Sequence, residues 1–144
     1  MRCQEIRWTS DKVQALPRGV RTNIMEISHE WGFGDDKELA GQLRELVLSG
    51  KKKAATGLYH EGKRVPKAGD YGAILDSDKK RFCIVRYTNV EIKPFLEVKY
   101  DFVKKEGEGD KDIEEWREKH RKFFNLKNDN VEVVCEEFRV VARL

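Results

Sequence analysis

Residues 65–95 read VPKAGDYGAILDSDKKRFCIVRYTNVEIKPF, and this stretch decides the fold. It holds two runs with strand character, Tyr71–Leu75 and Arg81–Ile92, joined by the turn-forming DSDKK. In the longer run Phe82, Ile84, Arg86, Thr88, Val90 and Ile92 share one side, and Cys83, Val85, Tyr87, Asn89 and Glu91 the other. Its first half is apolar on both sides and its second half is not. The pattern predicts a strand that crosses a core and then reaches an exposed rim, where Pro94 bends or stops it.

Upstream, WGFGDDKELAGQLRELVLSG (31–50) predicts a helix. Asp35 or Asp36 caps its start, and Asp35 with Glu38 has capping-box spacing. Leu39, Leu43, Leu46 and Val47 form one apolar face, and Gly50 is placed to end the helix at positive φ. A short strand follows in ATGLYH. Downstream, DFVKKEGEGDKDIEEWREKHRKFF combines a glycine-broken acidic loop with a second amphipathic helix. Asp112 and Glu115 cap that helix, and Ile113, Trp116, His120 and Phe123 or Phe124 line its stripe. VEVVCEEFRVVARL predicts a last long strand. Residues 1–30 read as an N-terminal extension lying on or near the domain, with a turn at Pro17 and Gly19, and residues 31–144 as the domain itself. The expected fold is α+β: a small, mostly antiparallel β-barrel flanked by helices, because closure would satisfy the sheet edges.

The net charge of +3 over 144 residues names no partner, but its distribution is uneven. Residues 44–68 carry seven Lys/Arg against Glu45 and Glu61, a local +5 that can steer an anionic ligand. The densest part is SGKKKAATGLY (49–59), where Lys51, Lys52 and Lys53 follow the carbonyl end of the first helix, a position that favours cations. A solvated corner and a lysine belonging to a site are both open readings of the trio. Cys3, Cys83 and Cys135 have no paired spacing, which points to free thiols in a reducing cytoplasm rather than a disulfide scaffold. No run approaches the roughly eighteen apolar residues that span a bilayer, and MRCQEIRWTS has no signal-peptide core.

His29, His60 and His120 lack ligand spacing, so no metal is expected, and no fingerprint calls for a cofactor. A lysine in a partly dry cleft can activate a hydroxyl or water, or stabilise an oxyanion, with a glutamate relaying the proton and a threonine as nucleophile. Trp31, Phe33, Tyr59, Tyr71 and Tyr87 lie near polar or glycine-containing segments, where a ring can stack on a base or simply pack into the core.

WGFGDDKELAGQLRELVLSGKKKAAT, PKAGDYGAILD, VEIKPFLEV, EGEGDKDIEEWREKHRKFF and VVCEEFRVV occur in that order, and together they resemble the ASCH (activating-signal-cointegrator homology) family, in particular its larger bacterial members. The resemblance spans about Trp31 to Val141 and implies a PUA-like β-barrel with flanking helices. Between barrel and helices it implies a cleft for RNA or a modified nucleoside or nucleotide. The chain is expected to act as a monomer or, through an apolar edge, a weak homodimer. Some small bacterial relatives are amidohydrolases that deacetylate acetylated cytidine, and others are assigned ribonuclease activity. Gly50 and Lys52 match the family's Gly-x-Lys-x-x-Thr pattern, and Glu106 matches the glutamate that completes the catalytic group. Strict spacing puts Ala55 at the threonine position, with Thr56 one residue late and, in an extended segment, on the opposite face. The resemblance thus implies catalytic roles for Lys52, Glu106 and Thr56. A binding surface is expected from Lys51, Lys53, Trp31, Phe33, Tyr59, Lys63, Arg64 and Arg86.

Overall fold

The computed structural model describes residues 26–144, together with the backbone of residues 4–8, 12–13 and 25. Cys3 and the turn expected at Pro17 and Gly19 lie outside the described residues.

The elements in chain order are β1 (Gln4–Trp8), β2 (Lys12–Val13), β3 (Met25–Gly32), α1 (Lys37–Leu48), β4 (Ala54–Leu58), β5 (Tyr71–Leu75), β6 (Arg81–Pro94), α2 (Tyr100–Glu106), α3 (Ile113–Phe124) and β7 (Glu132–Arg143). A single 3-10 turn, Phe95–Glu97, links β6 to α2. The strands run in the order β1-β3-β5-β6-β7-β4, with β2 pairing β3, and β3 against β5 is the parallel pair. Residues 25–30 therefore sit inside the sheet, as part of a strand that crosses the boundary drawn at residue 30.

The expected barrel is not closed. The sheet begins at β1 and ends at β4, and no ladder joins those ends among the described residues. The physical reason is the placement of the helices. The apolar face of α1, Leu43 and Val47, packs in one cluster with Trp31 of β3, Ala55 of β4, Val85 and Tyr87 of β6 and Phe138 of β7. Side chains thus fill the mouth that backbone hydrogen bonds would close in a barrel. At the entry to β4 the Lys53 amide donates to the Lys105 carbonyl, 2.7 Å away, so α2 covers that end of the edge strand.

Local chemistry explains the helices. Asp36 caps α1 by accepting from the Leu39 amide, and Gly50 ends it at φ +82°. Asp112 caps α3 by accepting from Glu115. Helix α2 has no side-chain cap and ends at Gly107, φ +69°. A second core lies under α2 and α3, where Phe95, Val103, Trp116, Val133 and Cys135 meet. Burying each large side chain of such a cluster contributes about 1.5–3 kcal/mol.

Tyr87 ties the first core together. Its hydroxyl accepts from the Trp31 indole at 2.9 Å and lies 3.2 Å from His29 Nδ1. It fits because Gly72 has no side chain: a Cβ there would stand 2.5 Å from the hydroxyl oxygen. Burial, reinforced by the charge of Lys63, holds the His29 pKa down to about 3. Burial likewise pushes the Cys83 and Cys135 thiols up to about 12, so both behave as small apolar groups. Among the described residues no helix is long and apolar enough to cross a membrane.

Candidate functional site: a basic cleft over a buried polar cluster

Gly50 turns the chain after α1 so that the Lys52 amide reaches back to the Leu46 carbonyl at 2.9 Å. The wrap separates the three lysines. Lys51 and Lys53 are exposed, while Lys52 turns inward and is 1 % exposed. Its ammonium donates to the Ala54 carbonyl at 2.7 Å, to Glu108 Oε2 at 2.8 Å and to the Glu106 carbonyl at 3.4 Å. The Phe33 ring lies 5.9 Å away. Glu108 reaches this position because Gly107 ends α2 in the left-handed region and passes against the 50–53 turn, where any Cβ at residue 107 would overlap the Lys51 carbonyl.

Beside this ion pair lies a second buried group. Glu106 is fully buried, with Oε2 accepting from Thr56 Oγ1 at 2.6 Å and Oε1 from the Trp116 indole at 2.7 Å. Strand β4 pairs with β7 in unbroken register, Thr56 opposite Cys135 and Ala55 opposite Glu136. Thr56 therefore faces the α2–α3 side and meets Glu106. Ala55 faces the core under α1. The hydroxyl on the carboxylate's side is that of Thr56, with no bulge involved, and Ala55 serves as core packing.

Lys52, Thr56 and Glu106 are thus neighbours, but they form a closed cluster. Each is at most 1 % exposed. Both oxygens of Glu106 are bonded, and the Lys52 charge is matched by Glu108. The expectation of a hydrolase is corrected accordingly. All three side chains are turned inward: the Thr56 hydroxyl and Glu106 carboxylate are bonded to each other, the Lys52 ammonium is bonded to Glu108, and none of them lines the lysine cleft described next.

What faces solvent is basic. A cleft of about 440 Å³ opens between the 50–53 turn and α2, walled by Lys51, Lys53, Tyr100, Lys104 and Asp110. Asp110 is bonded to Lys119 at 2.7 Å, and this partner holds the Lys119 pKa above its usual range. The Lys104 ammonium stands 5.8 Å from the Tyr100 ring centre, and the Tyr100 hydroxyl donates to the Asp110 carbonyl at 2.7 Å.

The other expected binding residues lie elsewhere. Trp31 and Phe33 are core residues, 0 % and 4 % exposed, packed edge to face, so neither ring is offered to a base. Tyr59 lines a separate groove with His60 and Asn130. Lys63 donates to the Leu58 carbonyl at 2.6 Å, and Arg64, next in the chain, is exposed. Arg86 lines a third groove, with Arg139. Sequence reasoning missed Tyr100, Lys104 and Glu108, which sit in a charge-balanced segment with no contrast to mark them. Among the described residues, no group of three or more His, Cys, Asp or Glu side chains is placed to hold a metal.

The comparisons bear on this geometry. No curated protein matches the chain. Among solved structures it is similar to protein EF3133 of Enterococcus faecalis V583, at 32% identity over 83% of this chain and 84% of that one, with a TM-score of 0.70. An ASCH domain from Lactobacillus crispatus JV V101 is similar at 31% identity, covering 75% and 76% of the two chains, with a TM-score of 0.67. Residues 29–142 match the sequence model of the ASCH domain, and with that span of match the chain belongs to the ASCH-domain family.

Proposed function

We propose that this ASCH domain binds single-stranded RNA or a nucleotide in the cleft between the 50–53 turn and α2. One observation carries the reading. Lys51, Lys53 and Lys104 surround an open cleft with no carboxylate bonded to any of them among the described residues, while Asp110 in the wall is already matched by Lys119. Unmatched ammonium groups around a concavity favour phosphate oxygens. Tyr100 supplies the aromatic surface on which a base can stack, in place of the buried Trp31 and Phe33. The Lys52–Glu108 pair lies behind the turn as a fixed support, so the exposed lysines start from a preorganised backbone. Hydrolysis forms no part of the proposal.

The test is binding of a fluorescent single-stranded RNA across a salt series. Lys51→Ala/Lys53→Ala should weaken binding and lower the slope of log K against log salt by about 1.4, since each phosphate contact on a single strand contributes about 0.7. A folded variant with the wild-type isotherm and slope would refute the assignment.

A further inference from the structure

On the face of the sheet turned away from α1 the register sets two arginines side by side. Tyr71 of β5 stands across from Arg86 of β6, and Arg86 stands across from Arg139 of β7. Both arginines are exposed, while their chain neighbours Tyr87 and Phe138 point into the core under α1. Directly opposed like charges weaken a ladder. No carboxylate offsets this pair among the described residues. Glu137, two residues before Arg139 and on the same face of β7, is bonded to Lys105 and Asn89, and the Asp70 carboxylate accepts from the Lys67 amide.

Arg86 is also held in place. The Arg86 guanidinium lies 5.8 Å from the Tyr71 ring centre. The 67–70 turn is fastened along β6 by Gly69 N–H to the Tyr87 carbonyl at 2.8 Å and by Tyr87 N–H to the Asp70 carbonyl at 2.9 Å. Gly69 has φ +98°, and a Cβ there would come 3.9 Å from Arg86 Nη2, so the turn presents bare backbone to the guanidinium. Arg86, Arg139 and Thr88 line a groove of about 380 Å³ that shares no lining residue with the lysine cleft.

We infer that this groove is a second anion site, taking a phosphate monoester or diester between the Arg86 and Arg139 guanidinium forks. Planar forks bind tetrahedral oxyanions through paired N–H donors, and a bound phosphate converts the like-charge pair from a destabilising contact into a matched one. The site stands independently of the lysine cleft.

The experiment is a titration of isotope-labelled protein with inorganic phosphate, and separately with a nucleoside monophosphate, following the arginine Nε–H resonances against chloride at matched ionic strength. Saturable shifts are expected at Arg86 and Arg139, lost in Arg86→Gln/Arg139→Gln and retained in Lys51→Ala/Lys53→Ala. A parallel salt series with single-stranded RNA separates the sources. A reduced slope in the arginine variant assigns the phosphate to a nucleic-acid backbone, and an unchanged slope beside saturable phosphate shifts assigns it to a free phosphorylated molecule. Shifts no larger than those of chloride, or shifts abolished by the lysine substitutions instead, overturn the inference. Because the phosphate shifts are read at Arg86 and Arg139 in both variants and the lysine cleft is judged by the RNA slope of the lysine variant, either site can fail with the other intact.

Discussion

Replacing one or both partners of the Lys52–Glu108 pair should give opposite results. The ammonium and carboxylate are 2.8 Å apart with side chains 0 % and 8 % exposed. At an effective dielectric constant of about 20 their attraction is about 6 kcal/mol. Removing two charges from water costs several kcal/mol each, so the net value of the intact pair is close to zero. Glu108→Gln takes the carboxylate from a buried ammonium that still donates to the Ala54 and Glu106 carbonyls, and should lower stability by about 3–5 kcal/mol. Lys52→Met takes the ammonium from the Glu108 carboxylate and should cost a similar amount. In Lys52→Met/Glu108→Leu neither charge of the pair is left buried without its partner, and the loss should be well below the sum of the singles. Urea unfolding of the four proteins measures the coupling directly. Strict additivity, or a Glu108→Gln loss under about 1 kcal/mol, would refute the view that these side chains form a sealed unit.

Two further outcomes follow from the geometry. The His29 pKa lies near 3 in the folded protein and near 6.5 when unfolded, so the unfolded chain takes up the proton first. The His29 contribution is therefore constant above pH 6.5 and falls as pH drops toward 3, by about 2 kcal/mol at pH 5. Unfolding midpoints at pH 7 and pH 5 should diverge more for the wild type than for His29→Phe, and parallel behaviour would contradict this. Gly107→Ala introduces a Cβ onto the Lys51 carbonyl at a positive-φ position. It should lower stability by more than the ~1 kcal/mol usual for positive φ alone and weaken RNA binding with it. Wild-type melting and affinity would show that the 50–53 turn can shift freely.

The parts legible in the sequence are those determined by neighbours in the chain. Helix α1, with its Asp36 cap and Gly50 terminus, and the long β6 could be read because period, cap and breaker agree locally. Strand β3 was hidden because MEISHEWG carries His29 and Glu30 inward, the latter bonded to Arg81 at 2.7 Å, so its alternation does not look apolar. Helix α2 spans seven residues with no side-chain cap, too little for a periodic signal. The open sheet and the Lys52–Glu108 pair depend on contacts between distant segments that no local window contains. Lys52 drew attention as one of three cations, but nothing nearby distinguishes the buried one from its exposed neighbours.

The space over Gly72 has a consequence for the order in which substitutions can accumulate. Phenylalanine at 87 would remove the hydroxyl 2.5 Å from a new Cβ at 72, yet ring carbons would remain at 2.9 and 3.0 Å. A smaller aliphatic side chain would make room, but it would leave the Trp31 indole without its acceptor. Any side chain at 72 must therefore wait for changes at both 87 and 31. Three positions on separate strands form a lock that no single substitution opens.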